Sequence, residues 1–142
     1  MSVSARDITP RQRALVRRSF RVIAANHPEM ARLYYDRLFQ LAPHYRVMFK
    51  AERAQMHRKF MRMLAYMVAS LDDRSTLQST MHALGKRHVD YGVRTEQYDV
   101  FGQAFMWSLE KILGPQCTPP TREAWRVTYT LLAEMAMNGH AG

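Results

Sequence analysis

The sequence predicts an all-α fold in a single domain. Apolar residues recur at helical spacing along almost the whole chain, and no stretch alternates apolar and polar residues between hairpin turns. Helix-start and helix-stop residues separate these amphipathic stretches. The chain has 142 residues, of which 47% are apolar, and this is enough to bury one core. We therefore expect six main helices in one domain that covers residues 1–142.

The first two helices have clear boundaries. Thr9 is a predicted N-cap, with Pro10 in the first turn and Gln12 placed to cap back. The second helix is predicted to open at His27 and to end before Pro43. Its inward face is expected to include Leu41.

The middle of the chain contains a short piece and two longer helices. The short piece runs up to Phe49, and a long helix begins near Arg53, the fourth in order if the short piece is the third. The pair Asp72-Asp73 is predicted to break this long helix. The next helix carries His88 and ends at Gly92, a residue that readily takes the left-handed conformation of a helix C-terminus.

Two further helices complete the series. Thr95 is predicted to cap the first of them, and Gly114-Pro115 to end it. Thr118, which two prolines follow, begins the last helix.

The composition restricts the classes of function. No run approaches the ~18 apolar residues of a membrane span, and no secretory signal is expected. Cys117 has no second cysteine to pair with, which favours a reducing, cytoplasmic location. The net charge of +9 is typical of nucleic-acid binding, but the basic residues are spread along the chain, so we do not expect it. We find no motif for phosphate binding, nucleophilic catalysis, or a dinucleotide or flavin cofactor.

His88 is the candidate metal ligand. Leu77, Met81, Leu84 and His88 follow one another at spacings of four, three and four, so they share one helical face. A neutral imidazole in line with an apolar stripe can hold haem iron from one side. A lone histidine on such a face is more often a packing residue than a metal ligand. Evidence from the rest of the chain is needed to distinguish these two roles.

Three stretches of sequence indicate a family. They are Leu33–Phe39, Leu84–Val93 and Leu113–Trp125, and they occur in a specific order and separation. On these stretches the chain resembles the globins, among them single-domain bacterial haemoglobins, the globin domain of flavohaemoglobins, and neuroglobin. The resemblance implies a three-over-three globin fold that binds haem b (iron protoporphyrin IX). The haem pocket is expected between the long fourth helix and the His88 helix.

The resemblance assigns roles around the porphyrin. His88 becomes the proximal iron ligand. The residues implied as apolar and aromatic haem contacts are Phe49, Phe60, Val93 and Tyr98. Lys59 and Arg87 are implied partners of the haem propionates, although ordinary exposed charges are an equal alternative.

The resemblance also implies a partner for the proximal histidine. Flavohaemoglobins join this histidine to a tyrosine and a glutamate, which makes the imidazole more basic. Tyr98 matches the tyrosine, but the ungapped position of the glutamate is His140. A strong proximal push is therefore not expected. His140 is interpreted with His27, His44 and His82 as structural or surface residues.

The residues on the opposite side of the haem determine which ligand binds the iron there. Tyr35 matches the tyrosine that bacterial globins aim at bound gas, and a phenol O–H in a dry pocket stabilises bound dioxygen. Counting from Phe49 without gaps places Met56 where globins carry a distal His or Gln, with Phe60 crowding the same space. Met56 is then a possible sixth iron ligand, and a shift of one residue gives that role to His57.

Two function classes follow. The first is a haem globin that reversibly binds dioxygen (O2), nitric oxide (NO) and carbon monoxide (CO), with oxygen transport among its roles. Nitric oxide dioxygenase or nitrite reductase side activity would depend on a separate reductase, because no reductase domain is expected in this chain. The alternative is a six-coordinate redox or gas-sensing globin with Met56 or His57 as the internal ligand. A monomer or dimer is expected in either case.

Overall fold

The computed structural model of the chain describes residues 7–48 and 52–141 and confirms the all-helical prediction. Within these residues there are six α-helices and no strand. The helices are α1 (Pro10–Ala25), α2 (His27–Leu41), α3 (Arg53–Ala69), α4 (Arg74–Asp90), α5 (Gln97–Leu113) and α6 (Pro119–Ala141). Two 3-10 segments, Pro43–Met48 and Gly114–Gln116, lie between helices.

The helices form the two layers of a three-over-three sandwich, with α1, α3 and α4 over α2, α5 and α6. The most extensive contact is between α4 and α6, and α2 packs along α5. Among the described residues, no helix is long and apolar enough to cross a membrane.

Helix ends follow the local sequence at most positions. Thr9 and Gln12 form the predicted capping box, since each side chain bonds the backbone of the other. Gly114 ends α5 with a φ of 54°, as expected. The prediction for Thr95 was wrong, because Glu96 occupies the N-cap position of α5 and provides no side-chain cap.

The inward face of α2 differs from the prediction at its last residue. Leu41 is 38% exposed, because the helix ends there and the chain turns away at Ala42. The remaining core is continuous through both layers. Its largest fully buried side chain is Trp125 of α6, whose indole N–H donates to Ser19 Oγ of α1 at 2.8 Å.

Two glycines allow α4 and α6 to approach closely. A Cβ atom added at Gly85 would lie 1.8 Å from the carbonyl oxygen of Ala136, and one at Gly139 would lie 2.3 Å from that of His82. Only hydrogen fits at these two positions. The crossing therefore sets the last turns of α6 directly against the last turns of α4, where His88 lies.

Candidate functional site

The end of α4 holds His88 in a fixed position. Gly92 adopts a φ of 87°, and its N–H donates to the carbonyl of Val89 at 3.0 Å. The N–H of Val93 donates to the carbonyl of His88 at 2.9 Å. These two bonds form the Schellman motif that closes a helix. The backbone of His88 thus belongs to a closed helix end.

His88 belongs to a network that joins three helices. The Oη atom of Tyr98, on α5, lies 2.9 Å from Nδ1 of His88 and 3.0 Å from Nε2 of His140, on α6. We call these three residues the His–Tyr–His network. Tyr98 is buried, and both histidines are half-buried. The sequence predicted a structural or surface role for His140, and the structure adds its hydrogen bond to Tyr98.

Tyr98 is itself anchored from α6. The hydroxyl of Tyr129 donates to the backbone carbonyl of Tyr98 at 2.6 Å. The ring of Tyr129 lies directly against Gly102, where an added Cβ atom would approach Cε2 to 2.7 Å. The central member of the network is therefore fixed through both its hydroxyl and its main chain.

Phe101 completes the apolar surroundings of His88. Its ring packs edge-on against His88, at 6.3 Å between centroids, and against Tyr98 at 5.7 Å. Sequence reasoning missed this residue, although it lies one helical turn after Tyr98. Burial, with smaller contributions from His140 and Arg87, lowers the pKa of His88 to about 4. The imidazole is neutral at neutral pH, which is the state that binds a metal.

An aromatic cluster joins α2 to α3. We call it the α2–α3 aromatic cluster, and its members are Tyr34, Tyr35, Phe39, His57 and Phe60. Phe60 stacks on Tyr34 at 4.4 Å and meets Tyr35 edge-on at 5.9 Å. Burial raises the pKa of Tyr35 to about 12, so its phenol keeps the proton and can donate a hydrogen bond.

Met56 and His57, near the start of α3, have different surroundings. Met56 is buried, in line with the buried Leu64 and Val68 of the same helix. The ring of His57 lies parallel to that of Tyr35, with 5.4 Å between centroids and 7° between planes. Burial, followed by the charge of Arg53, lowers the pKa of His57. Its Nε2 atom is buried and has no hydrogen-bond partner among the described residues.

The remaining predicted site residues differ in their surroundings. Val93 is buried next to the end of α4. Lys59 and Arg87 are exposed, and neither forms an ion pair within the part of the chain that the structure covers. Phe49 lies outside the described residues.

The chemistry of these residues fits a haem. His88 presents a neutral imidazole whose Nδ1 is hydrogen bonded, while its Nε2 has no partner among residues 7–48 and 52–141. On α3, the buried Nε2 of His57 has no hydrogen-bond partner among the described residues, which costs free energy unless a bound group satisfies it. Helix α4 packs mainly on α6, and α3 on α2 and α1, so each helix is supported from behind.

Comparison with known proteins points in the same direction. The sequence model of the Globin family matches residues 32–136. Neuroglobin-2 of Oncorhynchus mykiss is 28% identical over 148 aligned positions, which cover 94% of this chain and 93% of that protein. The flavohemoprotein of Bordetella pertussis is 28% identical over 90% of this chain. The chain spans only 33% of the length of that flavohemoprotein.

A solved structure supports the fold. The hexacoordinated heme protein from an anhydrobiotic tardigrade superposes with a TM-score of 0.86 at 14% identity. The match covers 94% of this chain and 96% of that one. At this level of identity, the similarity shows the shared three-over-three architecture.

Proposed function

Because the chain belongs to the globin family, we propose that it is a haem protein that reversibly binds diatomic gases. The observation that carries the proposal is His88: a neutral imidazole, fixed by a closed helix end, with Nδ1 bonded to Tyr98 and Nε2 available. We propose haem b as the cofactor, held by one protein nitrogen as is usual for globin haem iron. The whole chain is then one globin domain.

The residues that would hold the haem lie on both sides of the pocket. His88 would ligate the iron through Nε2, because Nδ1 is engaged by Tyr98. The predicted contacts with the porphyrin are Phe49, Phe60, Val93 and Tyr98. Lys59 and Arg87 would pair with the propionates at the exposed edge. When bound, the haem iron supplies the coordination position that accepts a diatomic gas.

Tyr35 is the residue we propose to contact the gas. Its phenol keeps its proton at neutral pH and can donate a hydrogen bond. Phe60 packs edge-on against Tyr35 and limits the water around it. A hydrogen bond in such a dry setting is stronger than in water, and dioxygen, which takes up partial negative charge on binding, gains more from it than carbon monoxide does.

Nitric oxide dioxygenase activity is a finer proposal for the same site. Dioxygen and nitric oxide combine to give nitrate, and each turnover consumes one electron. A reductase would supply that electron. Support comes from the flavohemoprotein of Bordetella pertussis, to which this chain is similar over one third of that protein. Oxygen transport, nitrite reduction, a cytoplasmic location and a monomeric or dimeric state belong to the same proposal.

A six-coordinate redox or gas-sensing globin is the second candidate. Two observations on α3 favour it: Met56 is buried on the inner surface, and Nε2 of His57 is buried and unpaired among the described residues. Methionine sulfur and imidazole nitrogen are both established ligands of haem iron. A gas would then have to displace the internal ligand before it could bind.

Absorption spectra test both candidates. The purified protein is expected to carry haem, and the dithionite-reduced form is expected to give a broad high-spin spectrum that shifts when carbon monoxide is added. Sharp, split bands in the reduced form would instead indicate an internal ligand. Met56→Leu and His57→Leu would then identify it, since only the true ligand's variant should become high-spin. A protein that binds no haem after reconstitution would contradict both candidates.

A further inference from the structure

We propose that His140 is a positioning residue that sets how strongly His88 donates to the haem iron, and that it acts through Tyr98. The inference rests on the proposed function, because it takes His88 as the iron ligand. It concerns the last member of the His–Tyr–His network, in which Tyr98 Oη lies 2.9 Å from His88 and 3.0 Å from His140.

The direction of the hydrogen bonds follows from the ligand role. If Nε2 of His88 binds iron, the ring proton must lie on Nδ1, which then donates to Oη of Tyr98. The hydroxyl of Tyr98 is left to donate to Nε2 of His140. His140 is therefore the terminal acceptor, and both bonds point from the iron ligand towards α6.

The nature of the terminal acceptor sets the strength of the whole network. A hydroxyl that donates a hydrogen bond becomes a better acceptor itself, so His140 strengthens the bond that Tyr98 accepts from His88. That bond in turn makes the ligand imidazole more basic. Charged acceptors bind roughly twice as strongly as neutral ones, so a neutral imidazole polarises Tyr98 less than a carboxylate would. We infer an intermediate donor strength for His88.

The fold holds His140 at this place with little freedom. The close crossing at Gly85 and Gly139 fixes α6 against α4 just before His140. Tyr98 is held separately by the hydrogen bond from Tyr129 to its backbone carbonyl, at 2.6 Å. The ring of His140 also packs edge-on against that of Tyr98, at 5.5 Å between centroids. The 3.0 Å contact is thus supported from two elements.

Three variants of the haem-loaded protein test the proposal. His140→Glu supplies a charged acceptor and should lower the reduction potential of the haem and raise the iron–His88 stretching frequency of the reduced form. His140→Leu removes the acceptor and should shift both quantities in the opposite directions. His140→Gln keeps a neutral acceptor and should stay near the wild-type values. His44→Leu, at an exposed histidine outside the network, is the matched control and should change neither quantity.

The outcomes are distinguishable. Opposite shifts for His140→Glu and His140→Leu support the proposal, because loosened packing of α6 would move both variants the same way. Shifts in the same direction, or no shift in either, would overturn it. The reduction potential can be read whether or not an internal ligand occupies the sixth position. A wild-type protein without haem would instead overturn the proposed function.

Discussion

Tyr35 and its neighbours show how one residue acquires its chemistry from burial. The side chain is only 8% exposed, and its pKa rises to about 12 because water is excluded around it. It contacts Phe60 edge-on and lies parallel to the ring of His57. Tyr34, the preceding residue, is also buried but stacks on Phe60. The two tyrosines are therefore adjacent and both buried, so replacing each in turn separates the role of Tyr35 from the general effect of losing a buried phenol.

Replacing Tyr35 should change gas release. We expect Tyr35→Phe to speed dioxygen dissociation by about tenfold or more, because a hydrogen bond worth ~1.5 kcal/mol or more is lost. Stopped-flow displacement of dioxygen by carbon monoxide measures this rate. Tyr34→Phe is the matched control and should leave the rate unchanged. If Tyr35→Phe releases dioxygen at the wild-type rate, Tyr35 does not bond the gas.

Whether a residue's part in the site could be predicted depended on how far it lies from His88 in the sequence. Tyr98 lies ten positions after His88, and the register of the resemblance placed both residues in the site. His140 lies 42 positions beyond Tyr98, and its side chain reaches the network only because α6 crosses α4 closely. No local pattern encodes that contact. The ungapped match identified its position without indicating that an imidazole could take part in the network.

Among the helix ends, those fixed by a few neighbouring residues were predicted correctly. Those that depend on the path of the chain were not. Thr9 is followed by Pro10 and Gln12, so the capping box is complete in four residues. Thr95 has the right side chain, but α5 begins two residues later and the cap falls on Glu96. The exposure of Leu41 depends on where the chain leaves α2, which periodicity alone does not determine.

The crossing of α4 and α6 is the element contact on which the site most depends. Gly85→Ala should destabilise the fold by about 1–3 kcal/mol, because the new methyl group meets the backbone of Ala136 and cannot be accommodated by a side-chain rotation. Thermal unfolding followed by circular dichroism measures the change. Ser79→Ala, at an exposed position of the same helix, should stay within about 0.5 kcal/mol of the wild type. Equal melting temperatures for Gly85→Ala and wild type would contradict the close crossing.

In the whole molecule, two groups of residues differ in their chemistry, one around His88 at the end of α4 and the other where α2 meets α3. The α4 side offers a neutral nitrogen ligand with a hydrogen-bonded partner, and the α3 side offers aromatic rings, a thioether and a buried ring nitrogen. The net charge of +9 adds a basic surface that attracts anionic groups, among them the propionates of a haem. The all-helical class, the helix order and the identity of the family followed from the sequence. The hydrogen bonds and ring contacts of the side chains required the structure.

Haem retention in His88→Ala tests directly whether His88 holds the iron. After both proteins are saturated with haem, transfer of the cofactor to an excess of an apo-acceptor protein is followed by absorption. We expect His88→Ala to lose haem far faster than the wild type, by about 10-fold or more, because the only iron–protein bond on that side is removed. His82→Ala, at another half-buried histidine of α4, should retain haem like the wild type. If His88→Ala holds haem as firmly as His82→Ala, His88 is not the iron ligand.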